Sequence, residues 1–323
     1  MSKESGRHEM TELLTRVACL YYLEAKTQNE VARELNISRQ KVQRLLQRAS
    51  QEGIVEITIH TLPLVPIEIE KKLKARFSLH EAVVTTGNSD RATRRQSVAR
   101  AAASYLERQV SNGMVIAVGM GRNLDALAAA FAPSQSIGCT FISAMGGSPL
   151  VGESINPNDI CKRLATSAGG RAASLFAPAY VESQRVRDIL LNQEAVAQTL
   201  AWARQAHMAV VGIGTPEDTC TLVRMGCLSL AEAQRLRQAN AVGDMLGYYF
   251  DRQGREVPSD LHGRLIGLTL QELKCIPKVV AIASEKGKAP AILGALRTGA
   301  VHVLVTYAEN AMEVLKLSEL QTA

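Results

Sequence analysis

From about residue 82 onward, short apolar β-rich runs alternate with helical patterns. The runs are "AVVTTG", "GMVIAVGMG", "CTFISAMGG", "MAVVGIGT", "KVVAIAS" and "VHVLVT". Helical patterns lie between and beyond them at 94–110, 124–131, 159–167, 193–205 and 308–317. Such alternation implies an α/β fold with a doubly wound, largely parallel sheet. Ligands on such sheets sit at the strand-to-loop junctions.

The first 60 residues have another texture. Leu13, Leu14, Val17, Leu20 and Tyr21 recur at helical spacing. Thr27 with Glu30 three residues on reads as a capping box opening a second helix. Asn36-Ile37-Ser38 forms a turn, and a third helix follows, with Val42, Leu45 and Leu46 inward and Gly53 closing it. "IVEITIH" at 54–60 alternates as a strand does. The outline is a winged helix–turn–helix over 1–60, a linker and helix over 61–80, and an α/β domain over 81–323.

The third helix carries Arg39, Lys41, Arg44 and Arg48, with no acidic residue between positions 35 and 51. A basic run alone usually marks a solvated surface. Here it lies on the second helix of a helix–turn–helix pattern, whose N-terminal part enters the major groove. Arg39, Gln40, Gln43 and Arg44 suit base edges, while Ser38, Lys41 and Arg48, with Thr27 and Gln28 ahead of them, suit phosphates. The net charge of +6 permits a polyanionic partner without demanding one.

"VIAVGMGRNLDALAAAF" runs from a strand through Gly119 and Gly121 to Arg122-Asn123 and a helix. Glycines, a helix N-terminus and an arginine suit a phosphate or carboxylate, although tight turns use glycine for geometry alone. "SAMGGSP", with Gly146 and Gly147, and "GIGTPED" are similar loops. Asp244 in "NAVGDMLGYYFD" reads either as an acceptor for sugar hydroxyls or as the N-cap of a helix "MLGYYF". Lys286 and Lys288 after "KVVAIAS" could each reach a phosphate or stand in solvent. His262, in "SDLHGRLIG", reads as a turn residue.

Six scattered cysteines with no C-x-x-C pair point away from zinc and disulfides, so no metal or cofactor is expected. They suit a reducing cytoplasm. No apolar run approaches the length of a membrane helix, and no secretory leader is expected.

The succession "VGMGR", "NDICKRLA", "VVGIGT", "GDMLGYYFD", "IGLTLQELKCIP" and "KAPAILGALRTGAVHVLVT", behind the helix–turn–helix, resembles the SorC/DeoR-type family of bacterial sugar-responsive transcriptional regulators. The resemblance covers nearly the whole chain. It implies an effector domain like sugar-phosphate isomerases, double-stranded DNA as partner, a sugar, polyol or sugar-phosphate effector, and a homotetramer. By motif it assigns Gly119, Gly121, Arg122, Asn123 and Leu124 to a phosphate-cradling loop. It matches Gly146 and Gly147 to a second glycine loop, Asp244 to a hydroxyl acceptor and Lys288 to the effector lysine. The chain departs from the pattern in three places: Asn123 replaces Ser or Thr, Ser284-Glu285 replaces a glycine pair, and Tyr307 replaces Asp. An inward Glu285 would repel phosphate and favour a less charged or unphosphorylated polyol or sugar. The competing expectation is a sugar-phosphate isomerase or deaminase with an accessory DNA module. It needs an acid/base pair, and Asp244 has no evident partner in the sequence.

Overall fold

A computed structural model describes residues 2–55, 65–87, 90–147 and 155–320. They fall into two compact units, 1–61 and 62–323.

The first unit is helical. Helix α1 (Ser2–Ala18) runs on into a π-helical turn (Cys19–Leu23), followed by α2 (Gln28–Glu34) and α3 (Arg39–Gln51). Leu14, Val17, Leu20, Val31, Val42, Leu45 and Leu46 bury into one shared core. The capping box exists: the Thr27 N–H donates to Glu30 Oε2 at 2.7 Å, and the Glu30 N–H donates back to Thr27 Oγ1. Asn36 adopts φ 51° in the turn, a left-handed conformation that Asn tolerates better than most residues. The Ser38 hydroxyl then caps α3 by accepting from the Lys41 N–H at 3.2 Å. Of the expected wing strand, only Ile54 and Val55 are described, in a bend; 56–60 lie outside the described residues, as does linker segment 61–64.

The second unit opens with α4 (Val65–Phe77). Its sheet contains β1 (Glu81–Thr85), β2 (Val115–Val118), β3 (Thr140–Ser143), β4 (Arg171–Ala173), β5 (Met208–Gly212), β8 (Val279–Ala283) and β9 (Val303–Tyr307). Their order is β1-β9-β8-β5-β2-β3-β4, and every pairing is parallel. Strands β6 (Gly243–Met245) and β7 (Tyr248–Phe250) form a separate antiparallel hairpin. The larger helices are α5 (Arg91–Gln109), α6 (Arg122–Ala130), α7 (Pro157–Ala168), α8 (Gln184–Leu191), α9 (Glu194–Arg204), α11 (Leu230–Gln238), α13 (Ala289–Arg297) and α14 (Ala308–Glu319). Short helices α10 (Thr221–Arg224) and α12 (Leu270–Lys274) complete the set.

Strand side chains point alternately to two cores. Ile116, Val118, Phe141, Met208, Val210, Val280 and Ile282 join one, with α5, α6 and α7. Ala117, Ile142, Ala209, Val211, Val279 and Ala281 join the other, with α9, α11 and α13. Burial on both faces explains why these strands read as continuous apolar runs. From β2 the chain winds outward to β3 and β4, then returns past β2 to β5 and winds the other way. The reversal lies between β2 and β5, where a doubly wound sheet opens its ligand crevice.

One sequence expectation is corrected here. "MLGYYF" is no helix: Asp244 pairs with Tyr249 and Met245 with Tyr248 across a two-residue turn. Leu246 and Gly247 both have positive φ, 53° and 83°, as a type I′ hairpin turn requires. Asp244 is a strand residue, not an N-cap.

Candidate functional site

A cavity of about 470 Å³ opens at the carboxyl ends of β2, β5 and β8, within the size range of small-molecule sites. Its wall includes Gly121, Arg122 and Asn123 after β2, Ile213, Gly214 and Thr215 after β5, Glu285, Lys286 and Lys288 after β8, and Asp244 from the hairpin.

Helix α6 starts at Gly121, whose φ of 119° only glycine adopts readily. The Gly121 carbonyl accepts from the Leu124 and Asp125 N–H groups. Among the described residues, the Arg122 and Asn123 N–H groups have no acceptor, which leaves a helix N-terminus of positive partial charge.

Asp244 is 8% exposed. Its Oδ2 accepts from the Gly247 N–H at 3.1 Å, and Oδ1 accepts no hydrogen bond among the described residues. Burial raises its pKa to about 6, against the pull of that N–H and of Lys288. A Cβ on Gly214 would lie 1.9 Å from Asp244 Oδ1, so the glycine loop after β5 is shaped to seat this carboxylate.

Lys288 donates to the Ile213 carbonyl and lies 3.4 Å from Glu285 Oε2. It thereby ties the β5 and β8 loops together. Glu285 Oε2 also accepts from Asn123 Nδ2 at 3.1 Å, while Oε1 lies 3.4 Å from Arg95 and 3.9 Å from Arg122. Despite burial, Lys288, Asn123 and Arg122 hold the Glu285 carboxyl down at about 2. Glu285 therefore faces inward and is ionised. Lys286, 76% exposed, pairs instead with Glu309 at 3.1 Å, which distinguishes the two lysines.

The expected residues do not all reach the cavity. Gly121, Arg122, Asn123, Asp244 and Lys288 line it. Gly119 sits behind the wall, where a Cβ would meet Leu246 at 2.9 Å. Leu124 is wholly buried in the α5–α7 core. Gly146 and Gly147 serve close packing: a Cβ would meet the Pro178 carbonyl at 2.4 Å and the Asn156 side chain at 2.9 Å. Sequence reasoning missed the start of α5, which brings Arg91 and Arg94 to the wall and Arg95 to Glu285. A signal existed: three arginines at a helix N-terminus oppose the helix dipole and call for acidic partners elsewhere.

His262 pairs with Glu256 at 3.1 Å in a 3-10 turn (Asp260–Arg264), away from the cavity wall. All six cysteines are free thiols. Among the described residues, no cluster could hold a metal ion and no helix is long and apolar enough to cross a membrane.

In the first unit, Ser38, Arg39, Gln40, Lys41, Gln43, Arg44 and Arg48 are all exposed, opposite buried Val42, Leu45, Leu46 and Ala49. Among the described residues, Arg39, Lys41 and Arg44 make no ion pair, whereas Arg48 pairs with Glu52 at 2.6 Å. Thr27, Gln28 and Arg39 meet in one shallow surface hollow with Tyr21, Tyr22 and Lys26.

Residues 64–316 match the family described as "Putative sugar-binding domain", and residues 8–52 match "Sigma-70, region 4". The erythritol catabolism regulatory protein EryD of Brucella abortus is 28% identical, with 91% of this chain and 93% of the relative covered. The transcriptional regulator LsrR of Klebsiella pneumoniae is 32% identical, with 95% and 94% covered. The full-length sorbitol operon regulator SorC of Klebsiella pneumoniae superposes with a TM-score of 0.74 at 25% identity, over 94% of this chain and 98% of that one. Fold, site and kinship define a transcriptional regulator with a helix–turn–helix region ahead of a sugar-binding domain, not an enzyme. The chain belongs to the SorC/DeoR-type family of such regulators.

Proposed function

We propose that this protein binds an operator through α3 and that a small polyhydroxylated effector in the β2/β5/β8 cavity controls that binding. Asp244 carries the reading. It is a buried carboxylate on the cavity wall, with one oxygen held by the hairpin backbone and the other accepting no hydrogen bond among the described residues. Such an oxygen accepts hydrogen bonds from sugar or polyol hydroxyls, and Lys288, Arg122 and the α6 N-terminus supply donors opposite. Gly121, Asn123 and Thr215 also line the wall.

On the DNA side, Arg39, Gln40, Gln43 and Arg44 read base edges, and Thr27, Gln28, Ser38, Lys41 and Arg48 contact phosphates. The protein acts in the cytoplasm as a homo-oligomer, a tetramer, whose paired α3 helices engage repeated half-sites. Effector and operator binding are linked equilibria, so each changes the other's affinity by the same factor. The kinship with EryD and SorC supports a carbohydrate-use operon as the target.

A thermal-shift screen of sugars, polyols and their phosphates, followed by operator titration with and without the hit, tests the reading. A hit should raise the melting temperature by mass action and alter operator affinity. A compound that binds without changing operator affinity would sink the regulatory link.

A further inference from the structure

Resting on that effector reading, we propose that Glu285 is a built-in counter-anion. Its carboxylate fills the anion-binding corner of the cavity, so the effector is an uncharged polyhydroxylated compound and its phosphorylated form is rejected.

The corner is built as an anion site. It has a helix N-terminus at Gly121 and three cations, Arg95, Arg122 and Lys288. Those elements would suit a phosphate. The three cations are already turned to Glu285, Arg95 and Lys288 at 3.4 Å and Arg122 at 3.9 Å, and the Asn123 side-chain amide at the start of α6 donates to it at 3.1 Å. The Glu285 side chain is only 10% exposed, so these attractions act in a partly desolvated setting. Its backbone is fixed as well, because buried Asn310 donates from Nδ2 to the Glu285 carbonyl at 2.9 Å.

The other cations of the wall do not restore the balance. Arg94 and Lys286 share Glu309. Arg91 alone among the lining cations has no ion pair among the described residues, and it is exposed. A phosphate monoester, carrying about −1.5 to −2 at neutral pH, would have to expel the Glu285 carboxylate or lie against it. In the empty cavity these same partners hold the carboxyl down at about 2, so at neutral pH it meets the phosphate as an anion. A neutral polyol meets no such conflict. Its hydroxyls donate to Asp244 and Glu285 and accept from Lys288 and Arg122.

The test uses the full-length protein with inorganic phosphate and with matched pairs of polyol and polyol phosphate, read by calorimetry and thermal shift. Wild type should bind phosphate weakly and bind the polyol more tightly than its phosphate. Glu285→Gly should bind inorganic phosphate at least about tenfold more tightly than wild type, about 1.4 kcal/mol. Glu285→Gln should move the same way with less disturbance of the Asn123 contact. Wild type binding phosphate as tightly as folded variants overturns the proposal. If neither variant folds, a wild type that prefers the polyol phosphate overturns it. If the variants gain phosphate affinity but no polyol acts on wild type, the counter-anion assignment stands and the polyol effector falls.

Discussion

Asn123 bridges two loops of the cavity, donating from Nδ2 to the Glu285 carboxylate at 3.1 Å and accepting at Oδ1 from the Ser284 hydroxyl at 2.5 Å. Both directions of the amide are used, so an isosteric carboxylate cannot replace it. Asn123→Asp should set two carboxylates against each other and lower stability by about 1–3 kcal/mol at neutral pH. Adding Glu285→Gln should restore most of the loss. Chemical denaturation of the two single variants and the double variant measures this coupling. Additive effects would refute the contact.

Asp244 makes a pH-dependent prediction. Its folded pKa of about 6 lies above the ordinary value of 3.8. The folded state therefore holds the proton where the unfolded state has lost it, and stability falls as pH rises from about 4 to 6. Above that window the cost of the buried charge is fully present, of the order of 2–3 kcal/mol. Asp244→Asn keeps an acceptor for the Gly247 N–H and escapes this cost. Its advantage in melting temperature over wild type should grow between pH 4 and pH 6 and then level off. Its response to the effector should be lost.

Lys288 holds Ile213, Glu285 and the field of Asp244 together. Lys288→Met should remove the nearby cation from Asp244 and loosen Glu285, which keeps Asn123, Arg95 and Arg122, lowering stability by about 1–3 kcal/mol. Operator binding at low temperature should survive while the effector response disappears. Lys286→Met, which breaks only an exposed pair with Glu309, should cost at most about 1 kcal/mol. Equal effects of the two substitutions would reverse the assignment of the effector lysine.

The legible parts of this fold are those where one local rule suffices. Both-face burial wrote five strands as apolar runs, and Thr27 and Ser38 announced their helices through their side-chain oxygens. Strand β4 was hidden because three residues, Arg-Ala-Ala, carry no strand preference. The hairpin at Asp244 was hidden because Leu246, not Gly or Asn, opens its turn at φ 53°. The glycine loops announced close approach but not to what. Gly214 lies beneath Asp244, whereas Gly146 lies beneath Pro178. The direction of Glu285 depends on Arg95 and Lys288, which meet it from two separate elements, and no sequence spacing encodes that meeting.

The cap of α3 can be tested apart from DNA contacts. Ser38→Ala removes the acceptor of the Lys41 N–H and should destabilise the first unit by about 1 kcal/mol. Ser38→Asp should retain the cap yet weaken DNA binding by placing a negative charge beside the phosphates. A stability loss shared by both variants would dismiss the capping argument.

The proposal that α3 reads the operator predicts two kinds of loss. Gln43 and Arg39 are exposed near the start of α3 while Val42 between them is wholly buried, so alanine at either position leaves the packing intact. Gln43→Ala or Arg39→Ala should cost about 1–3 kcal/mol on the preferred operator and relax base preference at particular positions. Arg48 lies further along and is already paired with Glu52. Arg48→Ala should instead weaken all sequences alike and reduce the salt slope by about one. Glu52→Ala, which frees Arg48, should strengthen non-specific binding. Binding titrations against operator variants over a range of salt separate these effects. If Gln43→Ala and Arg39→Ala leave operator preference unchanged, α3 is not the reading helix.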